Sequence, residues 1–353
     1  MIMSATAADI RQLDGLYKDS KAYYGDLHNH AATGGTSDGK LDLAGWKRAL
    51  KSLNLNFAGI LDHRQVRHMF LPEWEDGTFV CGTEPGTKIT DTAATRPYLH
   101  YNMIFSSAQP LMKLLTDFPE FEYAGGPEDH FVYPEFTTAR FCELIDAVKA
   151  HGGFFVHPHP KQNMQSEDPC DYWFRDETGL EVFYNGADRQ FEEHTSKNYD
   201  LWTQLLAKGK RIWACSGGDE HAEPTGLAIT TIYASGYHNA AYLERLRVGD
   251  FVCGSVGIQM CIGDTPMGGQ CNFDSKRLVV CIKDFHSSVL NPDHKYRVDI
   301  LNENGVVFSA PIFCQDPAYF ALYAEACNYY RAEVFDTTEN KRIAIGNPIW
   351  NLK

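Results

Sequence analysis

Residues 25–41, GDLHNHAATGGTSDGKL, carry two overlapping patterns that call for different chemistry. Gly34 to Lys40 has the G-x-x-x-x-G-K spacing of a loop that cradles nucleotide phosphates, while His28 and His30 form an H-x-H pair suited to a metal. The phosphate loop also needs Ser or Thr after its Lys, to reach magnesium, and a buried strand leading into its glycines. Position 41 is Leu, and Ala31, Ala32 and Thr33 are too short an apolar run to be that strand. Gly, Thr, Ser and Asp packed together read instead as a solvated turn. The metal reading then needs further ligands elsewhere.

Such residues recur along the chain. Asp38, His63, Glu84, His100, His157, Asp219 and His221 each end a short apolar run or lie just after one. Imidazole and carboxylate together suit zinc, iron or manganese. With His28 and His30 the ligand candidates exceed what one ion needs, so the set predicts a cluster of two or three divalent transition metals. The glycines of AATGGTSDG would let the loop fold back and bring Asp38 to the two histidines.

The elements between these residues must bring them to one place. LAGWKRALKSLN (43–54) has helical spacing and FAGILDH follows as a buried strand; FVCGTEPG, YLHYNMIF, FFVHPHP, GLEVFYNG and RIWACSGGDEHA read as further strands. Helices such as FCELIDAVKAHGG and YDLWTQLLAKGK lie between them, and such alternation implies parallel strands with crossover helices. Parallel strands put their carboxyl ends on one rim, where a β/α barrel builds its active site. Residues 106–140 interrupt the rhythm with the aromatic, acidic stretch DFPEFEYAGGPEDHFVYPEF, expected to be a wall or lid over that rim. Its Phe118, Phe121, Tyr123, Phe131, Tyr133 and Phe136 could stack on a leaving group, and Glu120, Glu122, Glu128 and Asp129 would repel a long polyanion. After about residue 262, RLVVCIKDF, YRVDILNENGVVF and YYRAEVFD read as antiparallel strands with NENG as a hairpin turn. The expected division is an N-terminal extension (1–22), a barrel (23–262) and a small β-sandwich-like domain (263–353).

Composition narrows the function. The 353 residues carry a net charge of −14, which argues against a nucleic-acid surface. No apolar stretch approaches a membrane span, and the start, MIMSATAADIRQ, has no secretory pattern. The ten cysteines lack any C-x-x-C and sit in apolar runs, as expected of reduced thiols in a cytoplasmic protein.

The motifs DLHNH with SDG, then LDH, GTE, the His of YLHYN, HP and GGDEH, resemble in order those of the PHP (polymerase and histidinol phosphatase) family, over residues 23–235. The resemblance implies a distorted (β/α)7 TIM-like barrel with up to three metals. His28, His30, Glu84 and Asp219 would hold one; Glu84 would bridge to a second held by His100 and His157; Asp38, His63 and His221 would hold the third. Two departures stand out: Leu61-Asp62-His63 replaces the usual Thr-Asp-His, and HP is doubled as VHPHP. His157 is the expected ligand because it ends the run FFV, with His159 facing substrate. The segments GLAITTIYASG, AYLERLRVGDFVCGS, RAEVFD and GNPIW are similar to two-domain PHP proteins related to the carbaryl hydrolases.

The resemblance implies a metal-dependent phosphoesterase acting on a small-molecule phosphate ester with a metal-bridged hydroxide. Cleavage of a carboxyl ester or carbamate by the same cluster, or metal-dependent binding without catalysis, are the alternatives. Glu84 and Asp219 would organise the metals, Arg64 and Lys161 would grip substrate, and His159 would protonate the leaving group.

Overall fold

The computed structural model describes residues 2–96, 99–121, 133–165, 174–186 and 188–352, with side chains from residue 5 onward. It comprises two compact units, Gly25–Ile229 with Tyr237–Arg247, and Met1–Tyr24 with Thr230–Gly236 and Val248–Lys353. No helix among the described residues is long and apolar enough to cross a membrane.

The first unit is built on a row of seven strands: β1 (Lys21–Asn29, entering the unit at Gly25), β2 (Phe57–Ile60), β3 (Phe79–Thr83), β4 (Asn102–Phe105), β5 (Phe154–His157), β6 (Thr178–Tyr184) and β7 (Ile212–Gly217). They stand side by side in chain order. Adjacent strands are parallel except at β4, which runs antiparallel to both β3 and β5. The uniform β/α alternation read from sequence fails there for a physical reason. A parallel neighbour needs a long crossover, usually a helix. Gly86–Ile89 and Leu99–His100 instead form an antiparallel pair, and the chain returns from the end of β3 with no helix among the described residues. His100 therefore precedes β4 yet lies at the rim where its parallel neighbours end.

The reversal also relocates the insertion. A chain leaving β4 at Phe105 starts from the opposite rim, not from the catalytic face expected for it. Helix Ala108–Asp117 follows, and Glu135–Phe136 then pairs in parallel with Lys88 and Ile89. The ends of the seven-strand row meet only where Asn29 and Glu220 form a single parallel bridge, so no ladder closes a barrel among the described residues.

Helix Leu43–Ser52 shows how the flanking helices fix the rim. Asp42 caps it by accepting the Gly45 N–H at 2.6 Å, and Leu43, Trp46, Ala49 and Leu50 form its buried face at helical spacing. Trp46 donates its Nε1–H to the His30 carbonyl at 3.1 Å, tying the helix to the strand end that carries the H-x-H pair.

The second unit packs two largely antiparallel sheets, with a short parallel pair, Gln270–Cys271 with Ile349–Asn351. Ile258, Met260, Val280 and Ile282 of one sheet meet Val298, Ile300, Ala332 and Val334 of the other in a single core. Arg277–Phe285 reads as a continuous apolar run, not an alternating one, because both faces are covered. Its Val279 and Cys281 pack outward against Leu13 and Tyr17 of helix Ala7–Tyr17. The expected extension 1–22 is thus integral to this unit, and Ile2–Ser4 pairs with Ala318–Tyr323. Thr230–Ala234 and Phe251–Gly254 also join it, so it takes up more of the chain than the 263–353 division. The described cysteines are free thiols, most of them buried.

Candidate metal centre

Strand β1 carries His28, and His30 follows directly on its last residue, two positions on from His28 and so on the same side; both are fully buried. Glu84 follows β3 and is also fully buried. Its Oε1 lies 3.4 Å from His28 Nε2, 3.3 Å from His100 Nδ1 and 3.2 Å from His159 Nε2. Its Oε2 lies 3.3 Å from His30 Nε2 and 3.1 Å from His63 Nδ1. Five imidazoles from different parts of the chain surround one carboxylate.

Asp219, just beyond β7, has a left-handed backbone (φ 52°), with its N–H donated to the His28 carbonyl at 2.8 Å. That turn sets Asp219 Oδ1 3.1 Å from His30 Nε2 and 3.5 Å from His28 Nε2. Asp38 Oδ1 faces His221 Nε2 at 3.2 Å and His63 Nε2 at 3.7 Å. The loop that carries Asp38 does fold back. Gly34 and Gly35 adopt φ of 76° and 69°, and a Cβ on Gly39 would come within 2.5 Å of the Ala31 nitrogen. The Lys40 N–H closes the loop onto the His221 carbonyl at 2.6 Å.

Three sets of ligand atoms gather in this way: His28, His30, Glu84 and Asp219; His30, Asp38, His63 and His221; and His63, Glu84 and His100. Within each set the atoms lie within 4.8 Å of one another, close enough to hold divalent metal ions. The donor chemistry fits such ions. His28 Nε2 and Glu84 Oε2 are buried and have no hydrogen-bond partner, although both point into the cluster. Buried polar atoms rarely go unsatisfied unless an ion or water completes them.

The doubled HP motif resolves against the expectation. His157 ends β5, and its ring packs edge-on against Phe155 and Phe174, at 5.0 and 4.9 Å. Burial alone pushes it down to about 3. His159 lies in a left-handed turn (φ 30°) between Pro158 and Pro160, which turns its ring back toward Glu84. Burial would lower His159 too, but Glu84, Asp219 and Glu181 raise it. The structure brings His159, not His157, to the shared carboxylate.

The expected substrate groups separate. Arg64 (φ 48°) lines a cavity of about 400 Å³ with Thr36, Asp38, His63, Gly86, His100 and Tyr133, and its guanidinium lies 5.4 Å from the Tyr133 ring centre. Lys161 belongs to the short helix Pro160–Asn163 and is not among that cavity's described lining residues. Of the insertion's aromatics, only Tyr133 reaches this cavity among the described residues. Phe118 and Phe136 are buried, and Phe121 packs against both. Glu120 pairs with Arg140 at 2.6 Å. Tyr123, Phe131, Glu122, Glu128 and Asp129 lie outside the described residues.

Two residues at the cluster escaped the sequence reading. Glu181, in the middle of β6, lies 2.7 Å from His28 Nδ1 and accepts the His159 N–H at 2.9 Å. Tyr184, at the end of β6, donates to Asp219 Oδ2 at 3.0 Å. A single carboxylate inside the otherwise apolar run GLEVFY was the available signal for the first. Two further buried acids brace the rim: Asp26 Oδ1 accepts the N–H groups of His28 and Gly218, each at 2.9 Å, and Asp62 accepts the Ala31 N–H at 2.8 Å. Burial pushes the Asp26 carboxyl up to about 8 despite those two bonds.

No family model and no curated protein matches the chain. Among solved structures, an amidohydrolase from Chromobacterium violaceum with bound sulfate is similar over 56% of this chain and 87% of its own. The identity is 14% and the TM-score 0.36. The functional reading therefore comes from the side chains of the site.

Proposed function

We propose that this chain is a metal-dependent hydrolase that cleaves a phosphate ester of a small molecule. One observation carries the reading: Glu84 stands within 3.1–3.4 Å of five imidazoles, three of them on one oxygen and two on the other. A carboxylate so placed can serve two ions at once. His28, His30, Glu84 and Asp219 would hold the first, Glu84 with His100 and His159 the second, and Asp38, His63 and His221 the third. When bound, such ions supply a water that ionises near neutral pH and positive charge opposite the reacting oxygens. Arg64, beside His63 and over Tyr133, provides a planar donor for a phosphate oxygen. A cavity of about 400 Å³ admits a small ester, and the PHP-like order of motifs along the chain supports a phosphoryl group as the one transferred.

The test is a hydrolysis panel on metal-loaded protein with manganese, iron or zinc. It offers phosphate monoesters, diesters, carboxyl esters and carbamates. Turnover of a phosphate ester that disappears on chelation and returns with metal is the expected result. Carboxyl-ester or carbamate cleavage with inert phosphate esters would overturn the substrate class. Ions bound in stoichiometric amount without turnover of any member would favour a binding role.

A further inference from the structure

Strand β6 is buried along its whole length, and Glu181 is its one charged residue. Strict alternation would turn Glu181 and Tyr184 to opposite faces of the sheet. The register against β7 slips between Glu181 and Phe183: Glu181 pairs with Cys215, and Phe183 with the next residue, Ser216. That bulge inserts one residue and re-aims the strand, so that both Glu181 and Tyr184 reach the cluster. The neighbouring strand makes room for the carboxylate, because a Cβ on Gly217 would collide with Glu181 Oε1.

Both oxygens of Glu181 are occupied. Oε1 accepts from His28 Nδ1 at 2.7 Å and from Asn102 Nδ2 at 3.3 Å. Oε2 accepts the backbone N–H of His159 at 2.9 Å, at the residue whose left-handed turn directs its ring to Glu84. With a proton on Nδ1, the His28 ring presents a lone pair at Nε2, the atom that faces Glu84 and Asp219 and has no hydrogen-bond partner. One buried carboxylate thus fixes the tautomer of one candidate ligand and the backbone of another.

We infer that Glu181 is a positioning residue that sets the metal affinity of the cluster from behind, through His28 and His159. The inference rests on the metal reading of the preceding subsection. Groups that orient metal-ligating histidines typically contribute about 10- to 100-fold to affinity.

The experiment compares wild type, Glu181→Ala and Glu181→Gln after chelation. Zinc is titrated against a chromophoric competitor, the visible spectrum of the cobalt(II)-loaded protein is recorded, and melting is followed without metal. Glu181→Ala is expected to weaken the tightest site by about 10- to 100-fold and to alter the cobalt spectrum. Without metal its melting temperature should fall, because the substitution leaves the His28, Asn102 and His159 donors without an acceptor; the zinc titration and the cobalt spectrum, read on folded protein, separate that loss from the change at the site. Glu181→Gln should recover part of the affinity, because its amide oxygen still accepts from His28, whereas its NH2 group opposes the His159 N–H. The Gln variant also preserves the test if the Ala variant does not fold. Affinities within twofold of wild type together with an unchanged spectrum would overturn the inference. A wild-type protein that takes up no ion would instead overturn the metal reading itself, before any variant is compared.

Discussion

Both units bury charged side chains, and they satisfy them in opposite ways. In the β unit Glu333 lies between Arg331 and Arg342 on adjoining strands, and Asp299 receives both Arg297 and Ser309. Each acid is matched by neighbours on its own sheet. At the rim of the other unit, residues from several strands and loops converge on Glu84 and Asp219, where His28 Nε2 and Glu84 Oε2 are buried with no hydrogen-bond partner among the described residues. Self-matched charge holds a sheet together. Convergent, unsatisfied charge is the arrangement expected where a cation is to be held.

The largest expected effect comes from breaking the convergent set. Glu84→Gln should abolish metal uptake and lower turnover by well over the roughly 100-fold attributed to a supporting residue, while the unit stays folded. Elemental analysis with circular dichroism checks both halves; full metal content would refute the sharing of Glu84. In the β unit the same substitution should act the other way. Glu333→Gln leaves the buried Arg331 guanidinium and the half-buried Arg342 guanidinium without their acid and should cost about 3–5 kcal/mol in stability. Its metal content should not change, and chemical denaturation beside elemental analysis would show whether the two regions are independent.

The doubled HP motif sharpens the comparison within one loop. His159→Gln should weaken metal binding by at least about tenfold, whereas His157→Gln should keep full stoichiometry. Equal losses in the two titrations would defeat the assignment. A smaller effect is expected at the cavity wall: Tyr133→Ala should raise KM by about 2- to 10-fold, in line with the roughly 0.5–1.5 kcal/mol of an aromatic contact, with kcat little altered. A change confined to kcat would argue against substrate contact. The smallest effect concerns Asp336. Burial would raise its carboxyl, but the N–H groups of Glu339 and Thr338 and the His294 ring together hold it below its ordinary value. A carboxyl lowered on folding stabilises at pH above about 3.9 and loses that contribution as pH falls through its folded value. Asp336→Asn should therefore melt lower at pH 7, with the gap to wild type closing below about pH 4.

Much of the site was legible because chemistry sits at strand ends. His28, His30, His63, Glu84 and Asp219 each follow an apolar run, and the chain brings those ends to one rim. The same rule misplaced His157, which ends its run but remains inside β5 among aromatic rings. The turn made by Pro158 and Pro160 gives the rim position to His159. Glu181 escaped because it lies mid-strand, and only a bulge against β7 aims it inward. The reversed direction of β4 was also hidden, since Asn102–Phe105 is apolar enough to pair either way. Its orientation follows from the antiparallel excursion before it. The unit boundary depends on pairings between distant segments, which no local pattern records.

The pairing of Ile2 with Leu322 has a consequence for the order of synthesis. At 5–20 residues per second, the first strand leaves the ribosome on the order of 15–60 s before its partner. Helix Ala7–Tyr17 waits as long for Ala321, whereas Gly25–Arg247, which contains the whole rim, is already out. Nascent chains stalled after Arg247 has emerged but before Ala318–Tyr323 is made are accordingly expected to be cut by protease within residues 7–17 while Leu43–Ser52 is protected; equal protection of both segments would show that the β unit closes early.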